Sequence, residues 1–241
     1  RAAAGPAAPG CSAGGDPASL SPTANPLADR PTLADPTPYQ APPTSVFRTA
    51  EGTTVWLVER PSLPIVALSL SIPVGSAQDP PGKSGLAHIT TAMLDEGAGD
   101  RSAIDISSDI NDLGAELGAG VTLDGSHVTL TVLRKHLARA FPIFADVVAR
   151  PRFDPAEHQR VSGLWLDDLR SRSDEPTTVA RLVRAAALYG PDTPYGHPSD
   201  GYLDTAESIT LADLMAFHRN SWRPDQALLV ATGAIDRTEI E

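Results

Sequence analysis

The sequence predicts an α+β fold: a mixed, mainly antiparallel sheet with helices packed on it. Three observations carry that expectation. Some stretches alternate apolar and polar residues with the period of a strand, and others repeat apolar residues with the period of a helix. Four helix-start signatures and an Asp-Gly hairpin turn punctuate them. The resulting order, β-β-α-α-β-β-α-α-α-α-β, is that of a layered α+β domain. With 41% hydrophobic and 20% charged residues, a chain of 241 residues can bury a sizeable core.

Regular patterning begins near Thr44. Thr53 to Glu59 alternates and is rich in β-branched residues, as a strand should be. Ile65 to Val74 alternates strongly, with Val66, Leu68, Leu70 and Ile72 on one face. Lys83 to Gly97 switches to helical period, its stripe formed by Leu86, Ile89 and Met93. Ser102-Ala-Ile-Asp105 is a capping box opening a second helix that stops at Gly114. Ala115 to Leu123 and His127 to Leu133 then alternate on either side of Asp124-Gly125. A helix is expected over His136 to Ala149 despite Pro142. Asp154-Pro155-Ala156-Glu157 starts another, which runs to about Ser173. Thr178 to Tyr189 is a further helix, ended by Gly190-Pro191, and Thr210-Leu-Ala-Asp213 opens the next. Gln226 to Gly233 is the last strand. Asp236-Arg-Thr-Glu239 is again a helix start, yet the sequence stops at Glu241, so the expectation is a fragment cut inside its closing helix.

Composition excludes several functions. The net charge is −11, and of the 19 basic residues only Lys83 and Lys135 are lysines. A nucleic-acid-binding domain needs a basic face, and adsorption to anionic lipid needs basic clusters. No apolar run approaches the ~18 residues of a membrane-spanning helix. One cysteine permits neither a disulfide framework within the chain nor a Cys-rich zinc ribbon.

Residues 1–43 are expected to be a disordered leader or tether: they hold ten of the 23 prolines and eleven alanines, with no period. The first residue is Arg1, not Met, and a missing true N-terminus is expected. Ala7-Ala8-Pro9-Gly10-Cys11 resembles a degenerate bacterial lipoprotein cleavage site. On that reading Cys11 carries a lipid anchor, the only membrane attachment expected. The protein then lies in the bacterial periplasm or at the outer membrane. An incidental cysteine in low-complexity sequence is the alternative.

Gly85-Leu86-Ala87-His88-Ile89-Thr90-Thr91-Ala92-Met93-Leu94-Asp95-Glu96-Gly97 resembles the active-site helix of the pitrilysin–insulinase family of zinc peptidases, the inverzincins. Their motif is H-x-x-E-H on a helix. Two His at i and i+4 hold the metal, and the Glu between them is the general base. A third ligand, a Glu, follows about 80 residues later, just before an apolar residue. The resemblance covers residues 44–241 as a pitrilysin-like N-terminal half-domain. Phe153 to Pro176, Tyr195-Gly196-His197-Pro198, and Trp222-Arg223-Pro224 through Gly233 support it.

Carried over residue by residue, the resemblance implies a degenerate site. His88 stands at the first ligand. Thr91 replaces the general base and Ala92 the second ligand. Asp168, 80 residues beyond His88 and before Leu169, stands at the third. His88 and Asp168 are then vestigial metal positions, since a catalytic zinc needs three protein ligands plus water. Without the family context they are an ordinary histidine and a solvated helix carboxylate. Threonine has no pKa suited to accepting a proton near neutrality. The resemblance therefore implies a non-catalytic subunit of a zinc-dependent oligopeptidase, with no cofactor of its own and zinc in the partner. That partner is a catalytic insulinase-family subunit with an intact H-x-x-E-H. The pair encloses a chamber, in which this chain contacts peptide substrate. The alternatives are an active zinc metalloendopeptidase with an atypical site, and a structural scaffold subunit.

Overall fold

The computed structural model describes residues 35, 38–191 and 193–240. The expected leader lies almost wholly outside the described residues, and Cys11 lies entirely outside them. Three strands come first: β1 (Ser45–Arg48), β2 (Thr54–Glu59) and β3 (Ile65–Ile72). Helix α1 (Leu86–Ala92) follows, then a two-residue hairpin of β4 (Gly97–Ala98) and β5 (Arg101–Ser102), then α2 (Ala103–Asp112). A longer hairpin, β6 (Glu116–Val121) and β7 (Ser126–Leu133), leads into α3 (Leu137–Ala149) and α4 (Pro155–Ser171). Helices α5 (Pro176–Tyr189), α6 (Leu203–Ser208) and α7 (Leu211–Ser221) precede β8 (Leu228–Gly233) and the short α8 (Arg237–Ile240).

Six strands form one sheet in the order β1-β2-β8-β3-β7-β6. Every pairing in it is antiparallel except that of β8 with β2, so the sheet is mixed and mainly antiparallel as the sequence predicts. Alternation sets the register of burial. Val55 and Leu57, Val66, Leu68 and Ile72, Val128, Leu130 and Val132, and Leu229 and Ala231 are all buried. They join apolar residues of α1, α2, α3, α4 and α7 in one core.

The capping signatures form as read. Asp105 N–H donates to Ser102 Oγ at 3.2 Å, and Ser102 N–H donates to Asp105 Oδ2 at 3.0 Å. Thr210 and Asp213 repeat the exchange at 3.3 and 2.8 Å. The Thr210 hydroxyl and backbone N–H hold the Asp213 carboxyl down at about 2. Asp154 caps α4 by accepting from Ala156 N–H at 2.9 Å.

Three expectations need correction. The first helix is not Lys83–Gly97 but Leu86–Ala92. Met93 and Leu94 extend the apolar stripe, but both are fully buried in a turn that leads the chain into β4. Helix α5 starts at Pro176 rather than Thr178, because a proline is well placed in a first helical turn. Strand β1, the β4–β5 hairpin and α6 were not foreseen, since elements of two to six residues are too short to show a period.

Leu68 is buried at the centre of the sheet on β3, between β7 and β8. Leu68→Ala should therefore lower unfolding free energy by about 2–5 kcal/mol. Val46→Ala on exposed β1 should stay within about 0.5 kcal/mol of the parent. Chemical denaturation of both variants measures the contrast.

Candidate functional site

Helix α1 covers the sheet, packing on β6 and β7 and against α4 and α7. Leu86, Ala87, Ile89, Thr90 and Thr91 are buried, leaving His88 and Ala92 half-buried on the face away from the sheet. Those two are i and i+4, so they share a side. The helix is opened by Asp79, whose carboxylate accepts from Gly85 N–H at 2.7 Å and Ala87 N–H at 2.8 Å. Burial raises the Asp79 pKa to about 6, against the lowering effect of those two donors and of His197. Across a neighbouring cleft, Ser84 Oγ lies 3.2 Å from His197 Nδ1.

Helix α4 turns Val161, Trp165 and Leu169 inward and leaves Asp168 exposed. Trp165 meets His88 with ring centroids 5.7 Å apart and planes tilted by 37°. Its indole N–H donates to Asp200 O at 3.0 Å. Arg172, just past α4, donates to Asp200 Oδ2 at 2.6 Å and to Gly201 O at 2.9 Å, with its side chain 12% exposed. Two glycines allow these elements to meet. A Cβ on Gly85 (φ 98°) would stand 2.6 Å from the Trp165 ring, and one on Gly201 (φ 78°) 2.3 Å from Ser84 O.

The sequence-derived positions are thus brought partly together. His88 and Asp168 lie on facing helices, near enough for the Asp168 charge to act on the imidazole. Burial lowers the His88 pKa, Asp200 and Asp168 raise it, and Arg172 lowers it further. Position 92 offers a methyl group. Thr91, expected from the resemblance to replace the general base, is 2% exposed, and its hydroxyl has no hydrogen-bond partner among the described residues. Asp167 turns elsewhere and pairs with Arg170 at 2.9 Å. No three His, Cys, Asp or Glu side chains stand close enough together to share a metal ion among the described residues. The donor set present does not fit a catalytic zinc, which takes three protein ligands.

Sequence reasoning missed Trp165, Arg172, Asp200 and Asp79. Trp165 was the most accessible of these, being three residues before Asp168 and therefore its neighbour on the helix surface, although it turns inward. Asp200 carries no local signal, because only the tertiary fold brings its loop to α1.

The architecture is that of a half-domain of zinc-peptidase type. A family model described as insulinase (peptidase family M16) matches residues 54–193, more than half of the chain, and the chain belongs to that family. An uncharacterized zinc protease of Mycobacterium leprae is 26% identical over 180 residues, which are 75% of this chain and 40% of that protein. The crystal structure of a peptidase M16 inactive domain from Pseudomonas fluorescens matches with a TM-score of 0.78 and 32% identity, covering 83% of this chain and 48% of that one. Pitrilysin matches at a TM-score of 0.71 and 23% identity over 82% of this chain and 22% of its own, a likeness of fold. The chain therefore spans less than half the length of each of these relatives.

Asp79 gives the site a pH signature. Its folded pKa of about 6 lies above the ordinary 3.8. Its contribution to stability is complete below 3.8 and is lost as pH rises through about 6. Asp79→Asn should therefore gain on the parent in thermal melts as pH is raised from about 4 to about 7. A constant difference in Tm across that range would contradict the assignment.

Proposed function

We propose that this chain is a non-catalytic half-domain of a zinc-dependent oligopeptidase, shaping the chamber and contacting peptide beside an active partner of the same family. One observation carries the reading. On the two turns of α1 that face α4, position 92 has no donor, and position 91 presents an enclosed hydroxyl where a base is required. Loss of a ligand and loss of the base are independent, and either would stop metal-assisted hydrolysis. The likeness to a structure described as an inactive M16 domain supports the same reading.

The sheet edge supports a peptide-contacting role. Strand β6 pairs only with β7, leaving its outer edge without a strand among the described residues. An extended peptide can add to such an edge through main-chain hydrogen bonds, with pockets reading alternate side chains. A groove of about 400 Å³ lies beside it, lined by Ile106 and Ile110 of α2, Glu116 and Leu117 of β6, and Asp95 and Glu96. Attachment to the cell envelope through a lipid on Cys11 belongs to the same proposal.

Two measurements test it. The full-length protein alone should hold no stoichiometric zinc in metal analysis and cleave no peptide in a chelator-sensitive manner. One tightly held zinc per chain with such activity would overturn the reading. Addition of a family member bearing an intact H-x-x-E-H should produce a stable complex that cleaves oligopeptides. For the anchor, Cys11→Ala should move the protein from the membrane fraction to the soluble one. An unchanged distribution would remove Cys11 from the account.

A further inference from the structure

Loss of two residues is only part of what separates this helix pair from a metal site. The imidazole of His88 packs against the Trp165 indole, and the same indole overlies Gly85, one turn earlier on α1. Position 92 lies a turn from His88 in the opposite direction. A side chain occupies one rotamer at a time, and packing against the indole restricts the rotamers open to the imidazole. The indole is itself fixed, since its N–H donates to Asp200 O and Arg172 grips the Asp200 carboxylate.

We propose that His88, Trp165, Arg172 and Asp200 form a clasp tying α1 to α4 and to the loop around Asp200, and that this clasp keeps His88 from serving as a metal donor even when the missing donors are restored. The inference rests on the reading of the chain as non-catalytic and deepens it: the site is not vacant but rebuilt for packing. Trp165 is a positioning residue in this account. Turning His88 toward position 92 would give up its packing against the indole. The clasp thus exchanges a metal's cross-link between α1 and α4 for an aromatic one.

The test uses the full-length protein and two restored variants. The first carries Thr91→Glu, Ala92→His and Asp168→Glu, and the second adds Trp165→Val. Zinc affinity is measured by competition with a chromogenic chelator, and circular dichroism confirms the fold. The first variant should bind zinc little better than the parent. Adding Trp165→Val should raise affinity by about 10–100-fold, the range over which groups behind a ligand alter metal binding. Equal affinity with and without Trp165 would overturn the clasp, and so would two folded variants that both fail to bind.

If the four-residue variant does not fold, the unaltered background decides. His88→Ala, Trp165→Val and the double variant form a cycle read by thermal melting. Coupled side chains should give a double loss smaller than the sum of the single losses. Additive losses would overturn the clasp and leave the non-catalytic reading standing. Stoichiometric zinc on the unaltered chain would instead overturn the non-catalytic reading itself.

Discussion

Helix α1 has seven residues and must cover the β7–β6 end of a six-stranded sheet. That burial is the constraint on which the rest depends. Five of the seven side chains are committed to the core, and only His88 and Ala92 face away from the sheet. Any chemistry on this helix must therefore work through these two positions, the enclosed position 91 beside them, and whatever α4 and the loop around Asp200 bring to them. The apolar packing of Leu86 and Ile89 holds the helix against the sheet whatever stands at 88, 91 and 92. The scaffold therefore does not depend on the identity of the residues at those positions.

The surroundings of His88 are arranged in small, specific ways. Thr90 and Thr91 are buried with hydroxyls that find no partner among the described residues. An unpaired buried hydroxyl costs free energy, but far less than an unpaired carboxylate in the same place. A neutral His88 suits an aromatic contact, and burial favours the neutral form. The charge on Arg172 is satisfied by Asp200 and by Gly201 O, so it does not stand unpaired against the imidazole.

The same side of the domain carries acid. Asp95, in the groove beside β6, has its pKa raised by burial and by the neighbouring Glu96 charge. Glu96 itself is held by Arg160 from α4. The chain that leaves α1 toward β4 is thus pinned by an ion pair as well as by the buried Met93 and Leu94, which fixes one wall of the groove along the sheet edge.

Periodicity, caps and turn residues made most of the architecture readable before any coordinates. The alternation of Ile65–Ile72 and Ser126–Leu133 determined which faces are buried, because a strand repeats every two residues. The boxes at Ser102 and Thr210 determined where helices begin, because they act over three residues of contiguous chain. Family resemblance singled out His88, Thr91, Ala92 and Asp168 as the positions to examine. Neither route revealed that β8 inserts between β2 and β3, since strand order is settled by which edges remain open once the helices are packed. Neither showed that α1 would stop at Ala92, or that Trp165 and the distant Asp200 would meet beside His88. Local patterns determine elements and their faces, whereas contacts between residues far apart in sequence exist only after the sheet has brought their elements together. The identity of the residues at 91 and 92 was written in the sequence; what His88 does without them was decided by the tertiary structure, through the packing of α4 and the Asp200 loop onto α1.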